Sequence, residues 1–77
     1  MKEKIIEILS DLRTEFDFSE EGVDFIKEGM IDSFDMVCLV DELEQQFNIK
    51  ISGVDITSKN FSTVASIEAL LKKNGVE

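Results

Sequence analysis

The sequence predicts an all-α fold, a small four-helix bundle of three full helices and one short one. Three observations lead there. Apolar residues recur at three- and four-residue steps in the first, middle and last thirds of the chain. Residues that cap helices stand in front of two of those runs. The chain has 77 residues, enough for one domain with an economical core, since a chain this short buries only about 60% of its unfolded surface. Residues 1–77 are therefore read as a single domain, without internal repeats or low-complexity tracts.

Residues 2–16 read as the first helix. Ile5, Ile8, Leu9, Leu12 and Phe16 make one stripe, which Ile6 widens. Lys2, Lys4, Glu7, Asp11 and Arg13 are expected on its solvated face. From Asp17 to Asp32 the periodicity stops. Ser19-Glu20-Glu21-Gly22 has turn chemistry and Gly29 marks a second bend. Phe18, Val23, Phe25, Ile26, Met30 and Ile31 are too apolar for a free linker, so this segment is expected to pin itself across the bundle. Asp24 to Gly29 lacks the alternating carboxylates of a calcium loop.

The second helix spans residues 33–47. At 100° per residue Met36, Val37, Leu39, Val40, Leu43 and Phe47 form the core-facing arc. Phe34, Asp35, Cys38, Asp41, Glu42 and Gln45 point outward. Asn48 ends it. Ile49 and Ile51 lead to Ser52-Gly53, Val54-Asp55-Ile56 make a short helical turn at most, and Thr57 to Asn60 read as loop. The last helix starts at Ser62 or Thr63, buries Val64, Ile67, Leu70 and Leu71, and stops at Gly75 after Lys72 and Lys73.

Composition removes several function classes. Eight basic residues against 17 acidic ones give a net charge of −9 and no histidine is present. Such a surface repels nucleic acid and anionic lipid and attracts basic partners. No apolar run approaches the ~20 residues of a membrane span, so no membrane insertion is expected. The N-terminus is no signal peptide, because Glu7, Ser10 and Asp11 interrupt it. Cys38 is the single cysteine, which rules out an internal disulfide and fits a reducing, cytoplasmic setting. No histidine stands ready to activate it, so it is not read as a nucleophile. Neither a nucleophile with its base nor a glycine-rich phosphate loop occurs, which excludes the common enzyme classes. No metal site is expected.

The chain is organised around Gly29-Met30-Ile31-Asp32-Ser33-Phe34-Asp35. An Asp-Ser pair before an amphipathic run is ordinarily an N-cap. Here two cap candidates adjoin, so Asp32 can cap while Ser33 stays free at a helix mouth that favours a phosphate. Asp32-Ser33-Phe34, followed by the acidic run to Leu43-Glu44-Gln45-Gln46-Phe47, resembles the acyl carrier protein family. The likeness extends through Ile49, Ile51, Phe61, Thr63, Val64 and Ile67. Phe34 replaces the commonest leucine, and Met30-Ile31 before Asp32 is closer to D-alanyl carriers than to fatty-acid carriers.

The resemblance implies that Ser33 carries 4'-phosphopantetheine, transferred from coenzyme A by a phosphopantetheinyl transferase, and that Asp35 helps hold that enzyme's metal. It implies a monomeric, non-catalytic carrier of acyl or aminoacyl thioesters, loaded by an adenylating enzyme and unloaded by acyl-transfer enzymes. The partner face it implies comprises Asp32, Phe34, Asp35, Val37, Asp41, Glu42 and Ile51. The rival reading is an unmodified acidic helical domain that binds a basic partner.

Overall fold

The computed structural model describes residues 1–76, and among these the regular structure is entirely helical. Four α-helices follow in order: α1 over Lys2–Leu12, α2 over Ser33–Phe47, α3 over Ser58–Phe61 and α4 over Val64–Lys73, with a 3-10 turn at Gly53–Asp55. Helix α1 packs against α2 and α4, and α3 against α4.

Each helix contributes its periodic apolar face to one core. Ile5, Ile8 and Leu9 come from α1, Leu39, Val40 and Leu43 from α2, Phe61 from α3, and Ile67, Leu70 and Leu71 from α4. The connection over residues 13–32 completes that core with Phe18, Phe25, Met30 and Ile31, as its apolar content predicts. Phe18 and Phe25 meet edge to face with ring centroids 5.0 Å apart, an arrangement that aromatic quadrupoles favour. The Phe25 N–H donates to the Ser62 carbonyl at 2.7 Å, and its own carbonyl accepts from Met30 N at 2.8 Å and Ile31 N at 3.3 Å. One residue thus ties the connection to the approach of α4 and to the segment entering α2. Gly29 takes the left-handed conformation at φ 73°, which glycine adopts without a Cβ penalty. The radius of gyration is 11.2 Å against about 11.5 Å for a packed chain of this length, so the long connection lies on the bundle.

Three expectations need correction. Helix α1 ends at Leu12 rather than at residue 16: Arg13 leaves helical geometry at φ −134°, and its guanidinium turns to acidic partners instead of water. Phe16 still packs edge-on to Phe18, so the apolar stripe outlives the helix. Second, residues 58–61 are helical, because Thr57 caps α3 by accepting the Asn60 N–H. Third, Val37 lies at 64% exposure. At 100° per residue it sits at the edge of the α2 arc, about 60° beyond Val40 and farther still from Leu39 and Leu43. The bounds of α2 and its Asn48 stop agree with expectation; Asn48 adopts the left-handed conformation at φ 53°, which asparagine tolerates better than most residues. Helix α4 begins after Thr63, which forms a capping box with Ser66.

Candidate functional site at the mouth of α2

Helix α2 opens with reciprocal caps. Asp32 Oδ1 accepts the Asp35 N–H at 2.9 Å, and Asp35 Oδ2 accepts the Asp32 N–H at 3.1 Å. This is a capping box built from two aspartates. The first intrahelical bond at this end runs from Met36 N to the Asp32 carbonyl. Ser33 and Phe34, the first two helical residues, therefore carry N–H groups that the helix itself leaves without partners. Ser33 is exposed. Its cap is supplied by its neighbour, which leaves the serine hydroxyl free of structural duty.

The two aspartates are not equivalent. Asp32 faces solvent with its side chain 65% exposed. Its carboxyl is held below the ordinary carboxylate range chiefly by the Asp35 N–H; burial opposes this, and the Arg13 charge adds a lesser lowering. Asp35 is buried at 8% because its side chain folds back over the first turn and meets Arg13. Nε and Nη2 of Arg13 both lie 2.9 Å from Asp35 Oδ2. Nη1 lies 3.1 Å from Glu15 Oε2, and Nη2 3.7 Å from Asp32 Oδ2. Asp35 foremost, then Glu15, holds the guanidinium even more firmly protonated than usual.

The residues expected on the partner face separate into two groups. Phe34 (74% exposed), Val37 and Asp41 are exposed along the outside of α2 beyond Ser33, with Glu42 half-buried beside them. Asp35 and Ile51 do not join them. Asp35 is committed to the capping box and Arg13: its Oδ2 accepts two hydrogen bonds, from Arg13 Nε and the Asp32 N–H, and pairs with Arg13 Nη2 at 2.9 Å. Ile51 belongs to the core at 6% exposure, and its N–H donates to Glu44 Oε2 at 2.8 Å. Cys38 is half-buried rather than fully outward. Arg13, read as an ordinary solvated side chain, is the site residue that sequence reasoning missed. No local signal announces it, since Asp35 lies 22 positions away.

Two hollows lie elsewhere. One of about 360 Å³ opens between the start of α1, residues 18–25 and the start of α4, with Ile6, Phe18, Val23 and Val64 among its walls. A wider trough runs along residues 16–30. No residue of α2 lines either.

The site is thus an exposed serine on a helix that its neighbour Asp32 caps. Residues 17–71 match the sequence model of the family described as "Phosphopantetheine attachment site". The chain is 32% identical over 75 residues to the D-alanyl carrier protein of Leuconostoc mesenteroides subsp. mesenteroides, covering 92% of this chain and 96% of that one. It is 28% identical over 74 residues to the D-alanyl carrier protein of Lactococcus lactis subsp. cremoris, covering 95% and 94%. The chain belongs to the phosphopantetheine-binding carrier proteins. It is a non-catalytic carrier that bears covalent 4'-phosphopantetheine and serves partner enzymes. Among the described residues no helix is long and apolar enough to cross a membrane.

Proposed function

We propose that Ser33 bears the phosphopantetheine arm and that the cargo is a small aminoacyl group of the D-alanyl type. The observation that carries the attachment site is the division of labour at the α2 mouth: Asp32 caps, and the exposed Ser33 is left over. The Ser33 N–H, which the helix leaves without an intrahelical partner, and the positive end of the helix suit a phosphodiester at that hydroxyl. The arm, once attached, supplies a terminal thiol for thioester formation. What this chain contributes is a rigid base, so that cargo meets each docked active site at high effective concentration.

The cargo assignment rests on the D-alanyl carrier relatives and on the absence of α2 residues from the two hollows described above. An adenylating enzyme would load the thiol, and acyl-transfer enzymes would remove the product. The partner face is Phe34 and Val37 rimmed by Asp32, Asp41 and Glu42, without Asp35 or Ile51. Residues 1–77 then act as one monomeric carrier domain, modified in the cytoplasm where coenzyme A is held.

Intact mass after incubation with coenzyme A, Mg²⁺ and a broad-specificity phosphopantetheinyl transferase tests the attachment site. Wild type should gain one phosphopantetheine and Ser33→Ala none, with the fold kept because Asp32 still caps. Modification of Ser33→Ala would refute the assignment. An unmodified wild type would favour the plain interaction domain.

A further inference from the structure

Attachment of the arm leaves one conspicuous group without a role. Arg13 stands just past α1, yet its guanidinium reaches the mouth of α2 and touches three carboxylates, of Asp35, Glu15 and Asp32. Two of these flank Ser33 in the chain. Asp35 Oδ2 gathers both Nε and Nη2 of Arg13 together with the N–H of Asp32, the residue directly before the serine. A single oxygen thus joins the end of α1 to the backbone that presents the hydroxyl.

We propose that Arg13 is a positioning residue for phosphopantetheine transfer to Ser33, acting through Asp35. This rests on the reading of Ser33 as the attachment site. Two physical arguments support it. Coenzyme A brings an anionic pyrophosphate to a serine with two aspartates close by in the chain, and like charge opposes the approach. The guanidinium offsets the Asp35 charge, and Asp32 remains as the exposed carboxylate at the site. The second argument is geometric. Two donors converging on one oxygen fix the angle between the end of α1 and the first turn of α2, and a planar guanidinium does this where a lysine ammonium cannot. The bundle does not depend on this tie for its existence. Arg13 is partly exposed, where ion pairs contribute little to stability, while the apolar core lies elsewhere.

The test uses the full apo chain, coenzyme A, Mg²⁺ and a broad-specificity phosphopantetheinyl transferase. Initial rates are read by intact mass over a range of carrier concentrations. The variants are Arg13→Met, Arg13→Lys, and Arg13→Met combined with Asp35→Asn, each assayed where circular dichroism shows it fully folded. Arg13→Met should lower kcat about tenfold, the low end of what outer-shell partners of a reacting group contribute, with KM nearly unchanged. Arg13→Lys should fall between Arg13→Met and wild type. Adding Asp35→Asn to Arg13→Met should recover at least about threefold of that loss. The amide oxygen can still accept the Asp32 N–H, and the uncompensated charge is gone.

A folded Arg13→Met with wild-type kcat and KM would overturn the proposal, leaving Arg13 a structural tie. A loss that Asp35→Asn does not relieve would overturn it as well. If Arg13→Met fails to fold, Arg13→Lys and the double variant decide by the same readout. Modification of wild type anywhere but Ser33 would instead defeat the attachment-site reading, and the mass of Ser33→Ala separates that failure from the others.

Discussion

Replacing Phe25 by alanine strikes the residue that joins the long connection to the rest of the bundle. Its ring is 1% exposed and packs edge-on to Phe18. Its backbone bonds reach Ser62, Met30 and Ile31. Truncating a buried phenylalanine costs about 3–5 kcal/mol. A chain of 77 residues, at about 0.05–0.15 kcal/mol per residue, has only about 4–12 kcal/mol in total. The substitution therefore removes between a quarter and all of the stability. At about 4–8 °C per kcal/mol in a domain of this size, the midpoint should fall by about 12 °C or more. The chain has no tryptophan or tyrosine, so urea and thermal melts must be followed by far-ultraviolet circular dichroism. Alanine keeps the backbone carbonyl that accepts from Met30 and Ile31, so the expected loss is that of the ring's burial alone. A loss under about 1 kcal/mol, the size of an ordinary substitution, would refute the claim that this connection is part of the core.

Much of this architecture was legible because the signals are local. Helix α2 is marked at both ends, by Asp32 with its partner Asp35 and by Asn48, and those are the bounds observed. The connection could be predicted to pack because six bulky apolar residues cannot all remain in water. What escaped depended on groups distant in sequence. A carboxylate at the third position of a helix is as easily solvated as folded back; here the Asp32 N–H and Arg13, from 22 residues away, both hold it folded. Helix α3 was missed for a different reason: four residues carry no periodicity, and the cap at Thr57 is its sole local mark. Val37 shows a boundary error, since a broad apolar arc does not say which of its edge members the neighbouring elements cover. For Ser33, the local pattern already separated the cap from the free hydroxyl.

The remaining expectations concern partner docking, acid and cargo. On the outer face of α2, Asp41→Lys should slow loading by the cognate enzyme mainly at low salt, whereas Phe34→Ala should weaken it at every ionic strength. Charged rims act on association rate and a buried anchor on lifetime; equal, salt-independent effects would count against this face. In acid, Asp32 and Asp17 matter because both have folded pKa values below their ordinary 3.8. Their stabilisation is present above that value and disappears as pH falls through the folded values, so urea midpoints should drop below about pH 4 and Asp32→Asn should flatten that drop. Cargo gives the sharpest test of the aminoacyl reading. An eight-carbon chain drawn into the bundle would contribute about 0.8 kcal/mol for each methylene it buries, several kcal/mol before ordering costs. The hollow of about 360 Å³ is walled by the start of α1, residues 18–25 and the start of α4, and no α2 residue contributes to it. A guest on Ser33 would therefore have to leave its own helix to enter that hollow. The octanoyl-amide holo form should melt with the free-thiol holo form. A rise above about 4 °C, which corresponds to at least ~0.5 kcal/mol of burial in a domain this small, would mean that the bundle opens for a chain and that the small-cargo reading is wrong.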